Sequence, residues 1–290
     1  MTEGRRGLPW TETVGPTVLA VCAGVCVFFL VLLVGYLAVR GASVVGISFL
    51  VEPPRDGMTR GGIGPAIVGT LLVTMVSALA AVPLGVAAAI YLVEYAPAGP
   101  ATRLIRLSVR NLAGVPSIVY GLFGLALFVR ALGLGGSVLS SGLTLGLLSL
   151  PWTISASEEA LRAVPRTLRD GALALGAGRW AATRTVLLPV ALPGIITGAI
   201  LALARAAGET APILFTGVAF YLPVAPRSPF DAFMALPYHL YVMATQHHDP
   251  EAAQQLAFGT ALVLVGLVFI LASAAIVGRS RIRRQMGGRR

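Results

Sequence analysis

Long stretches without a single charged side chain are the feature that most constrains how this chain can fold. Five of them cover residues 13–39, 61–93, 111–129, 131–157 and 252–278. A sixth, 185–226, is interrupted only by Arg205 and Glu209. Each is long enough to cross a bilayer as a helix, which takes roughly 20 residues. Because the backbone in lipid must satisfy its hydrogen bonds internally, and the alternating pattern of a membrane barrel is absent, these stretches are predicted to be helices.

The chain is therefore predicted to be an all-α polytopic membrane protein with six transmembrane helices. Apolar residues make up 56% of it and charged residues 12%, which is typical of this class. The predicted spans are 17–39, 66–93, 111–130, 137–157, 190–218 and 254–278. The remaining segments are an N-terminal segment 1–16, an outer loop 40–65 and a basic tail 279–290, and residues 66–278 form the core.

Arginine placement predicts the orientation. With both termini in the cytoplasm, sixteen arginines lie in cytoplasmic segments, five in outer segments and one, Arg205, within a span. This asymmetry fits the positive-inside rule. The net charge of +10 then mainly reflects the orientation of the chain in the membrane. No nucleic-acid partner is expected, because the charge is dispersed over loops.

The residue types that are missing or isolated exclude several activities. The sequence has no lysine, so it lacks the residue that a P-loop places on nucleotide phosphates, and any ATP must be hydrolysed by a partner. Cys22 and Cys26 share a helix face and are interpreted as small packing residues. His247 and His248 are interpreted as surface-loop residues, and Asp249 as the N-cap of the last helix. No cofactor or metal is expected.

The segment 158–189 is a basic, helix-forming loop of five arginines between apolar runs. Ser155 and Glu158 have the spacing of a capping box, which predicts a short helix that Pro165 stops. A second helix is predicted over about 168–175, ending at Gly176.

In that second helix Leu168, Ala172 and Leu175 form one apolar stripe. A helix this short is marginal alone, so it must pack either on the chain's own spans or in a partner's groove. Local physics leaves these two alternatives about equal.

A resemblance changes that balance. Asp170-Gly171-Ala172, then Gly176, then Val186 and Leu188-Pro189 resemble, in complete spacing, the EAA motif of ABC importer permeases, with Asp, Gly and Val in place of Glu, Ala and Ile. In that family the motif forms a coupling helix held in a cleft of the ATPase. The resemblance implies that Leu168, Asp170, Gly171, Ala172, Leu175, Gly176 and Ala177 contact the ATPase.

Four further segments, 111–128, 157–166, 201–217 and 236–245, together resemble phosphate importer permeases. The GETAPILFTG ending of the third and the LPYHLY start of the fourth resemble the PstA type and not its PstC-type partner. That resemblance implies the type I importer permease (MetI-like) fold, location in a bacterial inner membrane, and transport of inorganic phosphate without catalysis by this chain. It also implies a homologous permease partner (PstC-type), two ATPase subunits (PstB-type) and a periplasmic phosphate-binding protein (PstS-type).

Arg205 and Glu209 are predicted to lie near the middle of the fifth span, i and i+4 on one face. An ionisable residue at that depth is costly unless it faces the bundle interior. We interpret Arg205 as a lining residue of the substrate pathway whose guanidinium binds an oxyanion, with Glu209 weakening its grip so that the anion can leave. A purely structural ion pair is the alternative. In the third span Pro116, flanked by Gly114 and Ser117, marks a place where the helix could unwind.

Other functions remain as alternatives. One arginine does not physically distinguish phosphate from sulfate, molybdate or phosphonate. A channel or proton-coupled carrier would need more titratable residues along its spans than Arg205 and Glu209. A membrane-embedded enzyme has little support, because no catalytic constellation lies at one depth.

Overall fold

A computed structural model describes residues 9–246 and 250–287 and is built almost entirely from helices. The interpretations of His247, His248 and Asp249 lie outside these residues. The α-helices are α1 Pro9–Gly41, α2 Ile47–Val51, α3 Gly64–Ile90, α4 Pro100–Ala113, α5 Ser117–Gly124, α6 Val138–Arg162, α7 Arg166–Ala174, α8 Arg179–Ala182, α9 Leu188–Ala206, α10 Ala211–Leu214, α11 Leu236–Thr245 and α12 Pro250–Gly287. A two-stranded antiparallel hairpin pairs β1 (Pro54–Arg55) with β2 (Arg60–Gly61).

Three π-helical turns extend these helices, and none of them is marked by a sequence pattern. They are Tyr91–Tyr95 after α3, Leu125–Ala131 after α5 and Thr183–Leu187 before α9. Within residues 9–246 and 250–287, five helical segments are long and apolar enough to cross a membrane, and a sixth is formed if the bent pair α4 and α5 is one span. The predicted class, an all-α polytopic membrane protein, is confirmed.

The predicted third span, 111–130, is not one straight helix. The chain runs through α4, breaks at 114–116 and continues as Ser117–Ala131 after a bend of 99°. Pro116 explains the break, because it has no amide hydrogen to donate and its ring disfavours helical backbone in the residue before it. The expected unwinding around Pro116 is therefore confirmed, but the predicted span 111–130 begins inside α4 and crosses the bend instead of forming one helix.

The predicted fifth span, 190–218, is also wrong in its bounds. A continuous helical segment runs over 179–206 and stops, and the short α10 follows after an irregular connection at 207–210. Gly208 has a low helix propensity, and the ring of Pro212 would clash with the carbonyl of Gly208 in a continuing helix. Both residues therefore favour a helix that ends near Ala206, where α9 ends in the structure.

The bundle is centred on α6, which packs closely against α3 and α9 through small residues. A β-carbon added at Gly142 of α6 would lie 2.5 Å from the Val76 side chain, and one added at Gly198 of α9 would lie 2.3 Å from that of Ala156. Such close approach is how helices associate where no hydrophobic effect drives them together. Several buried hydroxyls bond to the carbonyl one turn earlier in their own helix, as where Thr153 donates to the Ser149 carbonyl at 3.0 Å.

At the end of the bundle opposite α7, the connections form a packed cap. The Leu236 amide donates to the Thr70 hydroxyl at 2.9 Å, which ties the start of α11 to α3. Most of α11 is buried, so this short helix packs into the protein. Burial lowers the pKa of His239, in α11, to about 4 because the charged form loses its hydration. The imidazole is therefore neutral at pH 7.

α1 stands apart from the rest of the bundle. Its contact with α12 is closest near Gly41, where an added β-carbon would lie 2.6 Å from the Phe258 carbonyl oxygen. Most of the helix is exposed, including Cys22 and Cys26. The interpretation of these cysteines as packing residues is therefore wrong within the described part of this chain.

Candidate transport route and coupling surface

Arg205 lies in the last turn of α9, and Glu209 lies beyond its end. They are not in the middle of a span helix, because α9 stops three residues before Glu209. The predicted pair nevertheless forms, with the Arg205 Nε 3.6 Å from a Glu209 carboxylate oxygen. The cation also sits where the helix dipole favours positive charge. The Arg205 side chain is 54% exposed and that of Glu209 19%, so the guanidinium is the accessible member.

Trp152 of α6 holds the guanidinium from the other side. The Arg205 Cζ lies 4.9 Å from the centre of the Trp152 ring, within the range of a cation–π contact. No sequence pattern marks Trp152 as a partner of Arg205. The one available signal is an aromatic residue beside Pro151 in an otherwise aliphatic and hydroxyl-rich run.

Trp152 also fixes the depth of Arg205 in the bundle. It is fourteen residues after the start of α6 at Val138 and ten before its end at Arg162. At about 1.5 Å per residue these separations are roughly 21 Å and 15 Å. Arg205 therefore lies level with the middle of α6, although it is at the end of its own helix.

The predicted coupling residues are found on and just after α7. Leu168, Asp170, Gly171 and Ala172 belong to the helix, and Leu175, Gly176 and Ala177 follow it. Gly176 has φ +83°, so the left-handed conformation expected at a helix end is present. The predicted helix bounds, 168–175, are displaced by one or two residues from Arg166–Ala174.

The apolar stripe of this segment is not covered by the spans. None of the α7 residues is buried, Leu168 is exposed and Leu175 is 90% exposed, while Ala172 is half-buried. Of the two alternatives for the stripe, packing on the chain's own spans is not what the structure shows. The stripe is left available to another molecule.

The short helix expected to begin at Ser155 does not exist as a separate element. α6 continues without interruption to Arg162, and the Ser155 hydroxyl donates to the Pro151 carbonyl at 2.9 Å within it. The capping-box spacing is therefore misleading here. Pro151 has no amide hydrogen to donate, but α6 continues past it to Arg162.

An ion pair that no sequence pattern indicates joins α7 to the spans among the described residues. Arg169 of α7 pairs with Glu94 in the π-helical turn after α3. The Glu94 side chain is only 8% exposed and that of Arg169 32%. Because these residues are 75 positions apart, only the fold brings them together. Their one sequence signal is that Glu94 ends a charge-free run directly before the basic α4.

A second group of ion pairs surrounds Glu158 of α6. One carboxylate oxygen accepts from Arg106 Nε of α4 at 2.7 Å and from Arg162 at 2.5 Å. Arg106 also donates to the Leu92 carbonyl at 2.7 Å, in the same π-helical turn as Glu94. The ends of α3, α4 and α6 are thus joined by charged hydrogen bonds at the base of α7.

Comparison with known proteins places this geometry in a family. The family described as binding-protein-dependent transport system inner membrane component matches residues 81–283. The probable ABC transporter permease protein YqgI of Bacillus subtilis is 34% identical over 91% of this chain and 94% of its own length. The chain belongs to the binding-protein-dependent transport inner membrane component family.

Relatives and solved structures within the ABC importer group agree with this assignment. The phosphate transport system permease protein PstA of Mycobacterium leprae is 42% identical over 72% of this chain and 67% of its own length. A chain of the MetNI methionine ABC transporter superposes with TM-score 0.60 at 20% identity, covering 75% of this chain and 94% of that one. A chain of a bacterial alginate ABC transporter superposes with TM-score 0.62 at 14% identity, covering 92% of this chain and 95% of that one.

For this binding-protein-dependent inner membrane component, three predictions are confirmed. The resemblance to PstA-type permeases is supported by relatives over most of the chain. The MetI-like fold is supported by the structural neighbours. Multi-pass membrane location follows from the family and from the apolar helices.

Proposed function

We propose that the chain is a permease subunit of an ATP-driven importer of inorganic phosphate. It forms half of the transmembrane pathway and performs no covalent chemistry. The observation that carries the proposal is Arg205, an accessible guanidinium level with the middle of the buried helix α6, in a chain 42% identical to a phosphate transport permease. A planar guanidinium matches a phosphate oxyanion with two parallel hydrogen bonds.

The contacts of Arg205 suit a passing anion better than a resident one. Glu209 approaches the guanidinium at 3.6 Å, which is longer than a hydrogen bond, so the carboxylate leaves donors of Arg205 free for an anion. The Trp152 ring limits where the group can move without using any N–H donor. A site that must also release its anion needs binding of this intermediate strength.

The exposed side of Arg205 requires a second wall. A homologous permease facing this surface would enclose one pathway between the two subunits and exclude lipid from the charge. This explains how a half-exposed guanidinium is tolerated at this depth, since a charge facing hydrocarbon is costly.

Coupling to ATP is assigned to α7. We propose that the exposed stripe of Leu168 and Leu175 inserts into a cleft of an ATPase subunit, one for each permease. The Arg169–Glu94 pair would then carry a displacement of α7 to the end of α3, and α9 would receive it through the π-helical turn Thr183–Leu187. π-helical turns are frequent at functional sites, and these two lie on either side of α7 along the chain.

The arginine asymmetry supports an orientation with both termini and α7 in the cytoplasm of a bacterial cell. The opposite end, with the hairpin β1–β2, α11 and the connection 215–235, would then face outward. A periplasmic phosphate-binding protein is proposed to deliver its cargo there.

Reconstitution tests the proposal directly. The full chain, a candidate permease partner, the ATPase subunits and the binding protein are placed in lipid vesicles, and entry of labelled phosphate is measured with and without ATP. Entry should require ATP and every subunit. Competition with unlabelled sulfate, molybdate and phosphonate is measured in the same vesicles.

The possible results separate the alternatives. Entry that sulfate or molybdate blocks as well as phosphate does would assign the permease to another oxyanion. Entry through this chain alone, without ATP, would make it a channel or secondary carrier and would contradict the proposal.

A further inference from the structure

A cavity lined by arginines lies at the base of α7, away from Arg205. It has a volume of about 390 Å³ and is lined by Arg106 of α4, Arg162 of α6, and Arg166 and Arg169 of α7. We call it the arginine cavity. Its floor is apolar and includes Val93 and Leu187. Three separate helices thus contribute cations to one concave surface.

Two carboxylates do not neutralise these four cations. Glu158 pairs with Arg106 and Arg162, and Glu94 pairs with Arg169. Within 9–246 and 250–287 no carboxylate lies within ion-pair distance of Arg166. Four guanidinium groups against two carboxylates leave an excess of about two positive charges.

The hydrogen-bonding capacity of the cavity is also incompletely used. Each guanidinium carries five N–H donors. The Arg169 Nε is buried and has no hydrogen-bond partner among the described residues, although its terminal nitrogen pairs with Glu94. Buried polar groups in proteins are normally paired, so the Arg169 guanidinium is incompletely satisfied where it lines the cavity beside the exposed Arg166.

The donors and the position both suit a phosphate group. Arginine forks recognise phosphate with two parallel hydrogen bonds, and several forks from different helices can surround its oxygens. α4, which supplies Arg106, is amphipathic and exposes apolar residues such as Leu104 and Leu107, as helices that lie at a membrane surface do. A phospholipid headgroup and a free phosphate ion could therefore both reach the cavity.

We propose that the arginine cavity is a second anion site, which binds a phosphate group between α4, α6 and α7. The bound group would accept from Arg166 while lying beside Arg162 and Arg169. It would fasten α7 to the ends of the spans, because α7 and α6 would share one ligand. This site is independent of which solute crosses the membrane.

Direct binding to the purified full chain tests the site. The chain is prepared in neutral detergent with Arg205→Gln, so that the transport route does not contribute to anion binding. Two probes are used, inorganic phosphate at pH 7 and a short-chain phosphatidylglycerol. Binding is measured by equilibrium dialysis or native mass spectrometry, together with the shift in unfolding temperature.

Arg166 is the residue to change, since it is exposed and has no ion pair to lose. Arg166→Gln should weaken binding roughly tenfold, the lower range for a hydrogen bond to a charged group. Arg166→Lys keeps the positive charge but lacks the planar guanidinium, so its affinity should lie between that of the protein with Arg166 and that of Arg166→Gln. Arg166→Glu should abolish binding. Arg184→Gln removes an exposed arginine of the same loop that does not line the cavity and should leave binding unchanged.

Each outcome then decides something. Binding of only one probe, lost in Arg166→Glu, supports the site and identifies its source as lipid or as the free ion. Binding of neither probe, or equal affinity in the Arg166→Glu and Arg184→Gln proteins, overturns the proposal. The unfolding temperature without probe shows that each variant is folded.

Discussion

The two groups of arginines in this protein are held in opposite ways. Arg205 meets one carboxylate at 3.6 Å and an aromatic ring, and it remains half exposed. At the base of α7, Arg106 and Arg162 meet a single carboxylate at 2.7 and 2.5 Å, and the partner of Arg169 is almost fully buried. The first arrangement leaves hydrogen-bond donors free, whereas in the second Arg106 and Arg169 use theirs to join helices. Among the described residues of that second group, Arg166 alone has no carboxylate partner.

This difference indicates what each group is for. A loosely paired cation can bind a ligand with little loss, because few existing bonds must break. A tightly paired one transmits force, because displacing either partner exposes a charge that has lost its solvation. Substitutions of single residues test this contrast.

The largest effect is expected at the loosely held arginine. Arg205→Gln should reduce phosphate uptake by the reconstituted transporter at least about a hundredfold, the upper range for a hydrogen bond to a charged group. Assembly with the partner subunits should be unaffected, as judged by co-purification. Arg130→Gln, an exposed arginine of the bent span, is the control. Normal uptake by the Arg205→Gln protein would show that this guanidinium does not line the route.

The next effect is on stability and tests the tight pair. Glu94→Gln should destabilise the purified chain by about 2–3 kcal/mol. This is less than the cost of about 3–5 kcal/mol for breaking a fully buried pair, because the Arg169 side chain is 32% exposed. Glu209→Gln, at the loose pair, should cost only about 0.5 kcal/mol. Denaturant unfolding measures both changes.

A double-mutant cycle isolates the contribution of the pair itself. Combining Glu94→Gln with Arg169→Gln should cost less than the sum of the two single changes. Additive costs would mean that the contact between them contributes nothing, and similar costs for Glu94→Gln and Glu209→Gln would remove the contrast between the two groups.

The third prediction concerns the backbone at the end of α7. Gly176→Val forces a β-branched residue into a left-handed conformation, which costs about 1–3 kcal/mol. An added β-carbon there meets no atom within 4 Å, so the strain is purely conformational. The expected result is a several-fold fall in phosphate moved per ATP hydrolysed, with the spans still folded.

Gly178 provides a matched control two residues away. Its φ is −67° and an added β-carbon also meets nothing within 4 Å, so Gly178→Val should preserve coupling. An equal loss in both variants would point to a crowded surface and not to the left-handed turn.

The sequence predicted what depends on local composition and failed where distant residues meet. Charge-free runs were enough for the helical class, and Gly176 marked the end of α7. The bend at Pro116 was foreseeable as a weak point, but its angle depends on how α4 and α5 pack. The end of α9 was missed because the run 185–226 stays apolar beyond Ala206, while Gly208 and Pro212 act on the backbone and not on hydropathy.

The contacts of the two arginine groups show the same limit. Arg205 and Glu209 are four residues apart, so their pairing was predictable. Glu94 and Arg169 are distant in sequence, as are Arg106 and Glu158, and one sequence gives no pairing rule for them. The contact of Trp152 with Arg205 likewise exists only because α6 and α9 pack side by side.

The smallest effect is expected from Trp152, and it distinguishes positioning from binding. The ring gives no hydrogen bond to an anion, but it restricts the guanidinium of Arg205, a contact of about 1 kcal/mol at an accessible site. Trp152→Leu should therefore raise the phosphate concentration for half-maximal uptake about fivefold and leave the maximal rate nearly unchanged. Trp152→Phe keeps an aromatic face and should recover most of the loss. An effect of Trp152→Leu that persists in the Arg205→Gln protein, measured on any residual uptake, would mean that the ring acts on α6 packing and not through Arg205.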